Sequence, residues 1–185
     1  MIIAGVDETG RGSLAGPVVS AVVAWSPPGF FVKESKSLKP KEREKLYSYI
    51  LESSIDWSVG IAEADEVDAL NIKEATLLSM KRAVDKIKSP INALIVDGCH
   101  LINNIWLMQI ATPKGDLLNP VVAAASIIAK VTRDRIMTDL STEFPIYRWN
   151  ANKGYATNYH LKVIREYGLC KHHRKSFIHE KPDSR

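Results

Sequence analysis

The sequence predicts an α/β fold: a mixed five-stranded sheet, with antiparallel and parallel parts, flanked by helices. Short apolar runs of strand length recur along the chain, and two of them deliver an acid into a glycine-containing turn. Between and after them lie longer segments with apolar residues at helical spacing. The chain has 185 residues, 45% of them hydrophobic, which suits one globular domain with a real core.

The first strand is Met1-Ile2-Ile3-Ala4-Gly5-Val6, which delivers Asp7-Glu8 into Thr9-Gly10-Arg11-Gly12. Neighbouring side chains in a strand point to opposite faces, so both acids serve one site only if the backbone leaves the strand at Glu8. Gly10 permits that departure. Pro17 to Trp25, rich in β-branched residues and stopped by Pro27-Pro28-Gly29, reads as a buried second strand. A helix over Lys39 to Ser53 carries Leu46, Tyr49 and Ile50 at helical spacing, with Pro40 suited to its first turn. Trp57 to Ala62 alternates and supplies the third strand.

A helix from Ile72 to Ile87 places Leu77, Met80, Val84 and Ile87 on one stripe and is ended by Ser89-Pro90. Ala93-Leu94-Ile95-Val96 suits a central strand and delivers Asp97 into Gly98. Trp106 to Ala111 is the fifth strand, followed by a turn at Pro113-Lys114-Gly115-Asp116. Val121 to Leu140 is the longest helix; its Ala123-Ala124-Ala125 start allows close packing on the sheet. Ser126, Lys130 and Asp134 fall at intervals of four on it and form a polar stripe. A last helix covers Asn158 to Tyr167 and ends at Gly168. No boundary precedes the charged tail Lys181 to Arg185, so residues 1–185 are expected to form a single domain whose C-terminal helical part starts at about 142. If the first and fourth strands are parallel neighbours, Asp7 and Asp97 emerge at one sheet edge, where ligands of such sheets gather.

The net charge is +4 and the pI about 9.0. Basic residues cluster in Lys33 to Lys45, Lys153 to Arg165 and Lys171 to Lys175, a distribution that suits a polyanion partner as well as the solvation of helix faces. No stretch approaches the roughly 18 to 20 apolar residues of a membrane span, and no basic region precedes an apolar one at the N-terminus, so a cytoplasmic protein is expected. Cys99 and Cys170 are isolated and lack metal-type spacing, so neither is given a chemical role.

The chemistry lies in the acids. Asp7, Glu8 and Asp97, with Asp116 as a fourth candidate, would repel one another and hold raised pKa values unless cations sat among them. Mg2+ or Mn2+ suits an oxygen-only ligand set. Two such ions about 3.5 to 4 Å apart activate water, orient a phosphate and stabilise a leaving oxygen, which is phosphodiester hydrolysis.

The chain resembles the ribonuclease HII family, the type 2 ribonucleases H. The matching residues run in family order: Val6-Asp7-Glu8-Thr9-Gly10-Arg11-Gly12, Glu34-Ser35-Lys36, Val96-Asp97-Gly98, Gly115-Asp116, Ala125 to Asp134, Lys153-Gly154-Tyr155-Ala156-Thr157 with His160, and His173-Arg174-Lys175-Ser176-Phe177. The resemblance implies a ribonuclease H-like sheet with a small helical C-terminal extension, and endonucleolytic cleavage of RNA in RNA/DNA hybrids. It also implies cutting 5′ of ribonucleotides embedded in duplex DNA, leaving 3′-hydroxyl and 5′-phosphate ends, as in ribonucleotide excision during DNA replication and repair. The expected partners are therefore an RNA/DNA hybrid and a DNA duplex containing ribonucleotides, acted on by a monomer without a membrane.

Carried over by motif, the resemblance makes Asp7, Glu8, Asp97 and Asp116 the catalytic acids that hold Mg2+ or Mn2+. Gly10, Arg11 and Gly12 resemble the family's sensor of the ribose 2′-hydroxyl, since glycines let backbone polar groups approach a sugar. Tyr155 resembles the tyrosine that packs on the deoxyribose next to the ribonucleotide. Ser35, Lys36 and Lys153 are expected phosphate contacts, and Ser126, Lys130 and Asp134 are expected to support the ligands from behind. His160 and His173 are open between phosphate binding and a structural role. Thr9 stands where the family more often has alanine, and Glu34 where aspartate is commoner. Two other readings compete: a structure-selective DNA nuclease, which has no use for a 2′-hydroxyl sensor, and a nucleic-acid-binding module without chemistry, whose acids would repel a phosphate backbone.

Overall fold

Among the described residues, five strands form one sheet in the order β3-β2-β1-β4-β5. In sequence they are β1 (Ile3–Thr9), β2 (Val18–Ala24), β3 (Asp56–Ala62), β4 (Ala93–Asp97) and β5 (Met108–Thr112). β1 and β3 run antiparallel to β2, whereas β4 is parallel to both β1 and β5. The helices are α1 (Pro40–Ser53), α2 (Ala64–Leu70), α3 (Ile72–Val84), α4 (Gly115–Leu118), α5 (Pro120–Glu143), α6 (Trp149–Asn152) and α7 (Asn158–Tyr167). The computed structural model describes residues 1–26 and 38–178; Glu34, Ser35, Lys36 and the tail from Lys181 lie outside the described residues.

Strand alternation divides the core into two layers. On one face Ala4, Val6, Val22, Leu94 and Val96 meet Leu77, Met80 and Val84 of α3. On the other, Ala21 and Val23 meet the alanine-rich start of α5, with Ile50 of α1 packed alongside. Each large aliphatic side chain buried there contributes on the order of 1.5 to 3 kcal/mol. Gly5 allows the close fit of α5: a Cβ at that position would lie 2.2 Å from the Val121 carbonyl carbon. A third cluster, Ala15, Met137, Tyr147, Trp149 and Val163, joins the far end of α5 to the C-terminal helices. Among the described residues no helix is long and apolar enough to cross a membrane.

Four local expectations are corrected. β1 does not leave the sheet at Glu8 but stays paired with β2 through Thr9, opposite Val19. β5 starts at Met108 rather than Trp106, because Met108 pairs with Ala93, the first residue of β4, and Trp106 is fully exposed. α3 stops at Val84, after which the Lys86 and Ile87 amides donate to Ala83 and Val84, closing tight turns three residues long. The turn at residues 113–116 contains the start of α4, after Lys114 adopts a left-handed conformation at φ 58°. α2, α4 and α6 carry no periodic signal, since each spans two turns or fewer. α2 buries only Ala64 and Val67.

Candidate active site

The acids meet where the sheet loses a strand. Val6 pairs with Val96 in the last registered step between β1 and β4, so Asp7 and Asp97 are the next residues on parallel neighbours. β4 ends there, while β1 continues beside β2 for two more residues. Asp7 and Thr9 project toward α5, and Glu8 is rooted on the α3 face. With no β4 backbone beyond Asp97, the Glu8 side chain reaches round the end of that strand. It lines cavities on both faces, as does Asp97. Oxygens of Asp7, Glu8 and Asp97 all lie within 4.8 Å of one another.

Each carboxylate is held from the protein side. Asp7 is 5% exposed, accepts from the Ser126 hydroxyl, and receives the Glu8 amide at 2.7 Å. The Gly115 amide donates to Asp97 Oδ1 at 2.6 Å, tying α4 to the end of β4. Arg11 donates to Glu8 Oε1 at 3.2 Å, but Glu8 Oε2 is buried with no hydrogen-bond partner among the described residues. Burial pushes the Asp7 carboxyl well above the usual range, and the charges of Glu8 and Asp97 add to the rise. Glu8 is also raised by burial, against the pull of Arg11. Massed, desolvated carboxylates with an orphaned oxygen fit a hard divalent cation, which would neutralise the repulsion and coordinate that oxygen.

A cavity of about 270 Å³ opens over the acids and is also lined by Thr9, Asp116, Ser126, Lys130 and Tyr155. Asp116, on α4, faces this cavity without joining the tight group of three. Lys130 pairs with Asp134 at 2.7 Å. Asp134 itself faces a neighbouring cavity with Arg43 and Lys153. The Lys153 ammonium donates to the Thr138 hydroxyl at 2.9 Å and to the Asp134 carbonyl at 3.3 Å, placing it against α5.

Gly10 takes φ 91°, and a Cβ there would fall 2.1 Å from Arg133 Nε, so this glycine is needed for both conformation and space. Gly12 has nothing within 4 Å of its missing Cβ, so its backbone stays approachable. The Arg11 side chain is 54% exposed. Tyr155 is 36% exposed, and the Arg133 guanidinium lies 5.5 Å from its ring centroid.

Two residues that hold this loop have no signal in local periodicity. Arg133, fully buried on α5, donates to the Pro17, Lys153 and Ala15 carbonyls and to the Ser13 hydroxyl at 2.7 to 3.1 Å. Arg174, equally buried, donates to the Gly16 carbonyl twice and to the Arg11 carbonyl once. Burial lowers the pKa of both guanidinium groups, yet both remain cations. His160 and His173 are buried and contact each other at 3.2 Å, an internal placement that excludes phosphate binding in this conformation.

The profile of the ribonuclease HII family matches residues 4–180. The chain is 42% identical over 178 residues to a ribonuclease HII of Caldicellulosiruptor bescii, covering 95% of this chain and 86% of that one. It is 45% identical over 179 residues to a ribonuclease HII of Ehrlichia chaffeensis, covering 95% and 85%. Its fold superposes on the crystal structure of the ribonuclease H2 of Pyrococcus horikoshii with a TM-score of 0.81 at 28% identity, over 95% of this chain and 93% of the other.

Proposed function

The chain belongs to the ribonuclease HII family, endonucleases that cleave RNA in RNA/DNA hybrids, and we propose that it also cuts 5′ of ribonucleotides embedded in duplex DNA by two-metal-ion hydrolysis. The observation that carries this reading is the Asp7, Glu8 and Asp97 cluster, with its buried Glu8 oxygen that has no hydrogen-bond partner among the described residues. Mg2+ or Mn2+ held by these acids, with Asp116 completing the set beside substrate, would lower the pKa of a bound water and offset charge on the phosphate. The products carry 3′-hydroxyl and 5′-phosphate ends.

The protein's own groups orient and recognise. Ser126 and the Gly115 amide fix the Asp7 and Asp97 oxygens, so the ligands are aimed before substrate arrives. Lys130 brings a cation to the cavity wall while paired with Asp134. Arg11 faces the scissile strand's phosphate from the Glu8 side, supported by its contact with that acid. The open backbone at Gly12 approaches the ribose 2′-hydroxyl, the group that distinguishes RNA from DNA. Tyr155 covers the following sugar, and a flat ring packs on deoxyribose more closely than on ribose. Lys153, like Ser35 and Lys36, contacts backbone phosphate and so supplies position.

The test is a DNA duplex with one ribonucleotide, incubated with Mg2+, Mn2+ or EDTA. Incision 5′ of the ribonucleotide with either metal and none in EDTA is expected. Failure to cut there with both metals would end the proposal, while cutting of an all-DNA duplex would favour the structure-selective nuclease.

A further inference from the structure

Behind Tyr155 lies a buried polar chain that touches none of the acids. The Cys170 amide donates to His173 Nδ1 at 3.0 Å, so that nitrogen is an acceptor and the His173 proton sits on Nε2. His173 Nε2 lies 3.2 Å from His160 Nε2, which also receives the Trp149 indole N–H at 3.1 Å. With two donors aimed at Nε2, His160 carries its proton on Nδ1, and Nδ1 lies 2.9 Å from the Tyr155 carbonyl oxygen. The direction of every bond is thereby assigned, and it ends on the backbone of the residue whose ring lines the cavity.

The rings are locked in place. Tyr147 stacks on Trp149 at 5.1 Å and meets His173 edge-on at 4.6 Å. Burial lowers the pKa of both histidines, His173 to about 4, which keeps the pair neutral in ordinary buffers and the tautomers defined. Tyr155 has two further anchors: its amide donates to the Asn152 carbonyl, and the Thr157 amide shares its carbonyl oxygen. The His160 contact comes from a side chain in the middle of the first turn of α7 and ties the Tyr155 turn to the packed C-terminal core.

We propose that His160 is a positioning residue for Tyr155: its Nδ1–H, set by Trp149 and His173, holds the Tyr155 carbonyl and so fixes the angle at which the phenol ring enters the substrate cleft. The proposal rests on the reading that Tyr155 packs on the deoxyribose beside an embedded ribonucleotide. A small displacement of such a group costs discrimination without removing the acids that cut.

The experiment compares His160→Asn, whose amide nitrogen takes the place of the Nδ1 donor, with His160→Gln, whose amide oxygen takes the place of the Nε2 acceptor and leaves the Tyr155 carbonyl without that donor, and with Tyr155→Ala. The quantity read is the ratio of incision at a single embedded ribonucleotide to cleavage of an unbroken RNA strand in a hybrid. Tyr155→Ala is expected to lower that ratio by roughly tenfold or more, His160→Gln to approach that loss, and His160→Asn to stay within about twofold of wild type. Nitrogen NMR of the labelled wild-type imidazole is expected to find Nδ1 protonated and Nε2 bare. The proposal is overturned if both His160 variants keep the wild-type ratio, if both lose it equally, or if the tautomer is reversed. A fall in hybrid cleavage that matches the fall at the single ribonucleotide leaves the ratio unchanged and also counts against it. An unchanged ratio in Tyr155→Ala removes the underlying reading of Tyr155, and the proposal with it.

Discussion

Asp7 shows how one residue carries opposing demands. Burial and two neighbouring acids make its charge costly in the metal-free fold, while the same charge is what attracts a cation. Asp7→Asn keeps the shape and removes the cost, so the variant should melt higher than wild type in EDTA, by about 2 to 4 °C for each kcal/mol relieved. It should also lose the rise in melting temperature that Mn2+ gives the wild type. Cleavage should fall by about a hundredfold or more while hybrid binding persists, and Asp97→Asn should behave alike in cleavage and binding. Gel assays and calorimetry check these outcomes, and retained turnover in Asp97→Asn would remove that residue from the metal site.

Thr9 is a second case at this scale, since its side chain shares the Asp7 face of β1 and lines the cavity with Tyr155. Removing its hydroxyl and methyl in Thr9→Ala should change the preference between single ribonucleotides and long hybrids by roughly three- to tenfold. Equal ratios in the two proteins would show that the side chain is neutral.

At the scale of elements, the loop from Gly10 to Pro17 is not stabilised by its own turn chemistry alone. Arg133 from α5 and Arg174 from the C-terminal segment hold its carbonyls, so the loop is clamped between two distant parts of the chain. Arg133→Met would strand the Pro17, Lys153 and Ala15 carbonyls and the Ser13 hydroxyl without their buried donor. Each unpaired buried group costs about 1 to 3 kcal/mol, so the urea midpoint should drop by an amount equivalent to at least about 3 kcal/mol. An unchanged midpoint would mean that water replaces the guanidinium at no cost.

The same element separates what periodicity reveals from what it hides. The apolar stripe of α5 and the Ser126, Lys130 and Asp134 spacing are readable because helical faces repeat every three to four residues. That Arg133 is fully buried is not readable, because its partners, three backbone carbonyls and the Ser13 hydroxyl, lie up to 120 residues away. The extension of β1 through Thr9 is hidden for a similar reason: pairing with β2 outweighs a local glycine signal, and the acids converge because β4 stops, not because β1 turns.

Across the whole molecule, the C-terminal helices are joined to α5 and the loop before β2 by Tyr147, Trp149, Met137, Ala15 and the histidine pair. His173 is surrounded by His160, His172, Cys170 and the Tyr147 ring, and burial first, then His160, depresses its pKa from 6.5 to about 4. The folded state therefore binds this proton less readily than the unfolded chain. The stability is fully present above pH 6.5, falls as the pH drops below it, and levels off near pH 4. The loss is on the order of 3 kcal/mol for this one group. Denaturation between pH 7 and pH 4 should show a shallower decline for His173→Asn than for wild type, whatever the carboxylates contribute to both; parallel curves would place the acid sensitivity elsewhere.

The sequence by itself determined the α/β class and the central strands and long helices, and it offered Asp7, Glu8 and Asp97, with Asp116 as a fourth, as candidates for one acid-rich site. These follow from residue chemistry and from periodicities that a window of a dozen residues contains. Tertiary structure alone decided which three acids stand within 4.8 Å, with Glu8 coming round the end of β4. It also decided that two arginines are buried as backbone donors and that a pair of histidines faces inward, in contact with each other. Those outcomes depend on strand register and on contacts between residues far apart in the chain, where burial and pairing outweigh local preference.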